Sequence, residues 1–490
     1  MRRFLPLILI VCASTTSAAE LDRTFIDATV ATALGRWQVP GAVVAIIQGD
    51  QSIVDGYGVQ TRTKTTRPTA DTVVPLASCT KAMTVALLAS LVDDGKLEWS
   101  DPVRKHLPDF HLSDPRIDDL LTVRDLLSHR SGVRGHDLLW YKAPWDRDEV
   151  LKRVARLPVD RTFRDSYEYS TVLVMAAGKV AERAGGKPWG NLLRERIADP
   201  LAMNSLAVST ADRRFRRGEL LAGHRTGRDG LPQPVSPYET REPNAAGSIH
   251  LAARDLVPWL HFLIGRGTVG GKRIVSEANF AEMIRPLNPM PMDSFTRALN
   301  PDTVQMTYAM GWIVHDYRGR PAFAHGGMID GYRVLVAVYP KDRFALAIVN
   351  NHQESRINQA IANTLADRAL GLPPKDWNAI LLEAVRKDSE AKLTEAKALR
   401  AARRAAVPPS WPLADYAGRY DEPAYGTATV RHEKGKLIWA WSSFEVELEH
   451  WEGDVFRFPS GFLEDRFLVF RVGPNGPTGF RFEGQDFRKR

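Results

Sequence analysis

Cysteine is nearly absent from this chain of 490 residues, which holds only Cys12 and Cys79. That excludes a disulfide-stapled scaffold and leaves the core to hold by packing. Beyond the first residues there is no uninterrupted apolar stretch of about 18 residues, which excludes a polytopic membrane protein. Charge of one sign is not in strong excess: 66 Lys and Arg face 58 Asp and Glu, for a formal net charge of +8. The densest basic cluster, RRFRRG at 213–218, has one aromatic beside four arginines. It reads as a solvated loop, with weak attraction to anionic envelope components as the lesser alternative, and nucleic acid is not an expected partner. No His/Cys/Asp/Glu cluster has metal-ligand spacing, so neither a metal nor another cofactor is expected. There is no G-x-S-x-G, which argues against an α/β-hydrolase elbow, and no internal repeat.

The first twenty residues, MRRFLPLILIVCASTTSAAE, join two arginines, a short apolar run and small residues ending at Ala19. This is the pattern of a secretory signal peptide cleaved near Ala19, and it implies an exported protein, periplasmic or secreted. Val11 before Cys12 is bulkier than lipid attachment at that cysteine usually tolerates. Cleavage leaves Cys79 alone and lowers the net charge to about +6, since Arg2 and Arg3 leave and residues 1–19 hold no acid.

At this length two domains are expected, one of them large. LDRTFIDATVATALGRW has helical spacing and ends before Pro40-Gly41; AVVAIIQGDQSIVDGYGV reads as a hairpin about Gly49-Asp50. Residues 78–94 form an apolar helical pattern stopped by Gly95, and residues 100 to about 265 are mostly helical patterns broken by loops. Two strong β runs, Tyr332 to Tyr339 and Phe344 to Val349, flank the turn Pro340-Lys341-Asp342 and precede a helix through INQAIANTLADRAL. The order predicts an α+β sandwich: an antiparallel sheet closed by both ends of the large domain, flanked by helices, with a helical subdomain inserted. A charged, alanine-rich helix then leads to an aromatic tail of short alternating runs, expected to be a small all-β barrel or sandwich. The resulting division is a signal at 1–19, a large domain at 20–372, a helical connector at 373–407 and a β domain at 408–490.

Serine three residues before lysine occurs in LASCTKAM (Ser78, Lys81) and in KDSEAKLTEAK (Ser389, Lys392). Spacing alone does not separate the two pairs; surroundings do. Ser389 and Lys392 lie on the charged connector, where solvation keeps a lysine cationic. Ser78 sits at a helix start, where free N–H groups and the helix dipole favour a developing anion, and Lys81 rises from an apolar helix that disfavours its charge. A lysine so depressed can accept the serine proton. Tyr169 in SYEYSTVLVMAAGKV is a further proton-transfer candidate, with Tyr167 as the nearer decoy. His325-Gly326-Gly327 lets a carbonyl lie against a strand edge.

SCTK at 78–81, YST at 169–171 and HGG at 325–327 resemble, in order, the three motifs of the serine β-lactamase and penicillin-binding-protein superfamily, in its class C and esterase/D-aminopeptidase branch. GKLEWSDPVRKHLPDF, TVRDLLSHRSG and AAGSIHLAARDLVPWL also look familial. The resemblance covers roughly residues 21 to 370, and the tail from Tyr416 is similar to a small lipocalin-like β-barrel that some of these hydrolases carry. It implies Ser78 as acylated nucleophile, Lys81 as proton-relay partner and Tyr169 as base. It implies an oxyanion hole from the N–H groups of Ser78 and Met328, the latter directly after Gly327. His325 replaces the lysine of the commoner lysine-threonine-glycine form. Thr171 departs from the pattern, which has asparagine there to hold a substrate carbonyl and the lysine; a threonine offers only a hydroxyl.

The plain alternatives are an N-cap serine with an exposed lysine, a core tyrosine at 169 and a structural histidine at 325. His129 and His250 fit core or loop roles, and Cys79 reads as a small buried residue rather than a nucleophile. The leading expectation is an exported serine hydrolase acting through an acyl-enzyme on small esters, amides or D-amino-acid peptides, with a small molecule or short peptide as its partner. A β-lactamase or D,D-carboxypeptidase is the second reading, and a catalytically silent protein that binds envelope fragments is the third. Oligomeric state is left open.

Overall fold

The structure is a computed structural model and describes residues 22–490 other than 241 and 405. The expected signal peptide and Cys12 lie outside the described residues. No helix among these is long and apolar enough to cross a membrane.

Chain entry is helix α1 (Arg23–Trp37), followed by strands β1 (Gly41–Gln48) and β2 (Gln51–Gly58), the predicted hairpin. After helix α2 (Thr80–Asp93) and a long helical insertion, the sheet resumes with β3 (Asn288–Pro289), β4 (Met306–Tyr308) and β5 (Ile313–Tyr317). It continues through β6 (Arg320–Ile329), β7 (Tyr332–Tyr339) and β8 (Phe344–Asn350). Among the described residues the sheet has eight strands in the order β2-β1-β8-β7-β6-β5-β4-β3, and its pairs are antiparallel. The chain's early hairpin therefore zips onto its late strand, with Val44 opposite Ile348, as the order of patterns predicted.

Both faces of the sheet are covered, which explains why GAVVAIIQ is a continuous apolar run and not an alternating one. Ala42, Val44 and Ile46 face one cluster with Ile26 and Val30 of α1, while Val43, Ala45 and Ile47 face another with Leu87 and Leu88 of α2. Period-two geometry sends neighbours to opposite cores, and each large aliphatic side chain so buried contributes about 1.5–3 kcal/mol. Helix α3 (Thr171–Gly185) packs against α2 within the insertion, and α4 (Ile357–Ala369) covers the outer face beside α1. The insertion is less helical than its sequence patterns imply. Many of its helices have three to five residues, and a two-stranded piece pairs Val73–Pro75 with His250–Ala252.

The charged helix α5 (Trp377–Ala402) begins by burying Trp377 and Leu381 against the outer cluster. Lys392 further along is exposed and paired with Asp388 at 2.7 Å, a solvated helix face. The tail from Gly418 to Lys489 is a closed barrel of eight strands among the described residues. Its last strand returns to its first, with Tyr420 opposite Lys489. Its interior is filled by rings, Phe480 against Phe487 at 4.7 Å and Tyr420 at 4.9 Å, and Trp439 against Phe458 at 5.1 Å. Such a small barrel is packed with its own side chains.

The barrel rests on the insertion. Tyr425 hydroxyl meets His136 Nδ1 at 3.0 Å, Phe462 packs on Tyr141 at 4.5 Å between centroids, and Trp441 meets Trp145 edge to face at 5.6 Å. Arg153 and Arg156 donate to the carbonyls of Ala424 and Pro423, each at 3.0 Å.

Candidate active site

Ser78 sits in a single tight turn, Ala77–Cys79, that leads into α2. Ala77 adopts a left-handed φ of 44°, unusual for a residue with a side chain, so the chain bends sharply just before the serine. The bend is tied down from behind: Leu76 N–H donates to Ile249 O at 2.9 Å, and Thr84 Oγ1 donates to Ala245 O at 2.6 Å. The AAGSIH segment is thus the backing of the Ser78 turn.

Lys81 lies one turn further on and is 1% exposed. Its Nζ donates to Ser78 Oγ at 3.2 Å and to Ala246 O at 3.0 Å, and stands 4.9 Å from the Tyr169 ring centroid. Burial lowers its pKa to about 7, against the opposing pull of Asp137 and Cys79. Near neutrality the amine is therefore free to take a proton.

Tyr169 precedes α3 on a segment held to the 128–131 loop. Ser170 N–H donates to His129 Nδ1 at 3.1 Å, and the Asn288 amide donates to the carbonyls of Ser128, His129 and Ser166. That loop is fixed by buried Asp125, which caps its own short helix through Thr122 and accepts from Arg130 at 2.6 Å and Arg164 at 2.7 Å. The Tyr169 side chain hydrogen-bonds Ser78, and burial drives its phenol well above the ordinary range despite that bond. It is a neutral phenol wherever the protein is folded near neutrality.

His325 is buried, with Nδ1 donating to Gly326 O at 2.6 Å and Nε2 accepting from Tyr308 hydroxyl at 2.8 Å. Burial, then the Lys81 charge, lowers its pKa to about 3, so it is a neutral imidazole tied on both sides. Gly327 is buried, while Met328 beyond it is 53% exposed at the rim. His129 packs at a tilt against both Tyr169 and Tyr308, at 4.2 and 4.4 Å between centroids, and burial pushes its pKa well below the ordinary value. Cys79 Sγ contacts His325 O at 3.2 Å, and burial raises its pKa to about 12. It is a core thiol.

Ser78, Lys81, Tyr169, Thr171, His325, Gly327 and Met328 line one cavity of about 420 Å³. Tyr167, the decoy, lines it too. Ser389 and Lys392 do not.

Sequence reasoning missed four contributors. Asp137, an exposed residue on a three-residue turn, opens into the cavity; desolvation by its neighbours raises its carboxyl, although Trp140, Lys81 and Thr171 pull the other way. Tyr308 sits on a three-residue strand and orients His325. Arg333 and Arg356 border the same cavity, and burial followed by the neighbouring Arg356 charge lowers Arg333 to about 10. None of the four belongs to a motif, and Arg333, although inside the Tyr332–Tyr339 run, is a polar position that the run itself does not single out.

Comparison with known proteins gives a consistent result. The sequence profile of the Beta-lactamase family matches residues 26–370, and that of a domain of unknown function, DUF3471, matches residues 402–488. An unguisins hydrolase of Aspergillus campestris is 29% identical over 442 residues, covering 86% of this chain and 80% of that protein. The D-amino acid amidase of Ochrobactrum anthropi superimposes with a TM-score of 0.58 at 25% identity, over 74% of this chain and 98% of the amidase. An octameric penicillin-binding protein homologue from Pyrococcus abyssi superimposes with a TM-score of 0.63 at 17% identity, over 96% of this chain and all of its own.

Proposed function

Since the chain belongs to the beta-lactamase family and is a serine hydrolase, we propose that Ser78 is its nucleophile and that it hydrolyses small amides, esters or short peptides of D-amino acids through an acyl-enzyme. The observation that carries this reading is the Lys81 amine, buried, lowered to about 7 and 3.2 Å from Ser78 Oγ. Neutral Lys81 takes the Ser78 proton as Oγ bonds to the substrate carbonyl carbon. The oxyanion formed is met by the N–H groups of Ser78 and Met328. When the intermediate collapses, the carbonyl carbon parts from the leaving amine or alcohol, which receives the proton from Lys81 through the Tyr169 hydroxyl. Water then attacks the ester, its proton passes back along Tyr169 and Lys81, and Ser78 is regenerated as the acid leaves. Tyr169 enters as a neutral relay because its phenol is raised by burial.

The preference for D-amino-acyl substrates draws on the likeness to the D-amino acid amidase. We take residues 20–372 as the hydrolase unit, 373–407 as connector and 408–490 as barrel unit, and place the activity outside the cytoplasm on account of the basic, apolar and small-residue order of residues 1–19. Incubation with a fluorophosphonate or a fluorescent penicillin, followed by mass mapping, tests the reading. An adduct on Ser78 that disappears in Ser78→Ala supports it; no adduct with any acylating probe favours a silent binding protein.

A second reading, a carboxypeptidase acting on a chain that ends in a free carboxylate, is favoured by Arg333 and Arg356. Their adjacent guanidiniums border the cavity, and burial lowers the pKa of each.

A further inference from the structure

His129 is wholly buried and has a left-handed φ of 55°, a conformation in which histidine and asparagine are enriched among residues that carry a side chain. Three parts of this residue meet one short segment. Its carbonyl accepts the Glu168 N–H at 2.9 Å, its Nδ1 accepts the Ser170 N–H at 3.1 Å, and its ring lies 4.2 Å from the ring of Tyr169 between them. The backbone on both sides of Tyr169, and the phenol itself, are thus held by a single residue.

The same contacts fix the tautomer. Because Nδ1 accepts, the proton of the neutral ring is on Nε2, and that nitrogen is buried without a partner among the described residues. A buried donor left unpaired is destabilising, so for packing alone an apolar ring would serve better. What an apolar ring lacks is the acceptor for Ser170. Neutrality matters as well: burial, then the Lys81 charge, holds the imidazole well below its ordinary pKa, so it sets no second cation beside Lys81. The ring also lies 4.4 Å from that of Tyr308, whose hydroxyl donates to His325 at 2.8 Å. One imidazole therefore braces two of the phenols that line the cavity.

We propose that His129 is a positioning residue, which aims the Tyr169 hydroxyl at Ser78 and at the departing group through its hold on Glu168 and Ser170. This rests on the hydrolase reading above and concerns one step of it, the proton that Tyr169 passes to the leaving amine or alcohol.

The leaving group supplies the test, since ethoxide must be protonated as it departs and p-nitrophenolate need not be. The probes are ethyl butyrate and p-nitrophenyl butyrate, which share one acyl group. Tyr169→Phe should lower kcat/KM at least about tenfold more for the ethyl ester than for the nitrophenyl ester. His129→Phe, which keeps a ring and loses the acceptor, should show the same bias. His129→Asn, whose side-chain oxygen can accept from Ser170 and whose backbone tolerates the left-handed φ, should recover part of the lost ethyl-ester rate. Equal falls on both esters in the two His129 variants mark a role in packing alone and overturn the proposal. So does an ethyl-ester rate left unchanged in both. Fluorophosphonate labelling of Ser78 separates the two levels. Label on the wild-type serine with no leaving-group bias in the His129 variants removes the proposal and leaves the hydrolase standing, while no label and no turnover in the wild type removes both.

Discussion

Gly327 lies so close to the Ser78 turn that a Cβ placed on it would stand 2.8 Å from Leu76 O, 3.0 Å from Ala77 Cβ and 3.1 Å from Ser78 N. The strand edge and the backbone of the Ser78 turn are therefore in direct contact. Gly326, one residue earlier, has no such neighbour: a Cβ there would meet only Val334 O at 3.7 Å.

Two adjacent glycines thus predict opposite outcomes. Gly327→Ala must push the strand off the Ser78 turn and should cost about 100- to 1,000-fold in kcat, the scale of losing an oxyanion donor. Gly326→Ala should stay within a few fold. Steady-state kinetics on one ester substrate decides; equal effects would remove the steric argument.

Lys81 predicts the pH profile. His325 is neutral above about 3, His129 lies well below its ordinary value, Cys79 is neutral to about 12 and Tyr169 is a phenol well past neutrality. The Asp137 carboxyl is raised by desolvation, against the pull of Trp140, Lys81 and Thr171. The kcat/KM should therefore rise with pH through about 7 as Lys81 loses its proton. A profile flat from pH 6 to 8 would contradict this.

The same residue predicts a stability signature. Between about 7 and the ordinary lysine value the unfolded chain binds a proton that the folded one lacks. Stability from this group therefore rises with pH across that window, by about 1.4 kcal/mol per unit, and is level below it. Urea unfolding of wild type and Lys81→Met should show a free-energy difference that grows in favour of wild type from pH 7 towards 10.

Cys79, although next to the nucleophile, should resist alkylation. Iodoacetamide is expected to leave activity intact and to label Cys79 only after denaturation. Rapid inactivation of the native protein would place the thiol in the open.

The two arginines predict a substrate difference within the carboxypeptidase reading. Arg333→Met should raise KM at least about tenfold for a peptide ending in a carboxylate and little for its amide. Equal changes on both would count against that reading.

The sequence made Ser78, Lys81, Tyr169 and His325 legible because each sits at the junction of a periodic run and a turn, where local chemistry marks the residue. The eight-stranded sheet was legible where strands are long and apolar, as in Tyr332–Tyr339. It was not where they are short, as in Met306–Tyr308, or half-buried, as in Ile313–Tyr317. Asp137 was invisible for a different reason. It belongs to no run, and its meaning comes from Thr171 and Trp140 on one side and from a barrel nearly 290 residues downstream on the other.

The closure of that barrel has a temporal consequence. Its final strand, Gln485–Lys489, must pair back onto Gly418–Glu422 before the ring of strands is complete. Ser78 and Lys81 lie hundreds of residues before this strand in the chain. The flank that carries His136, Tyr141 and Trp145 gains its backing only from this ring of strands, so that wall of the cavity is completed later in folding than the hairpin and helix on either side of Ser78.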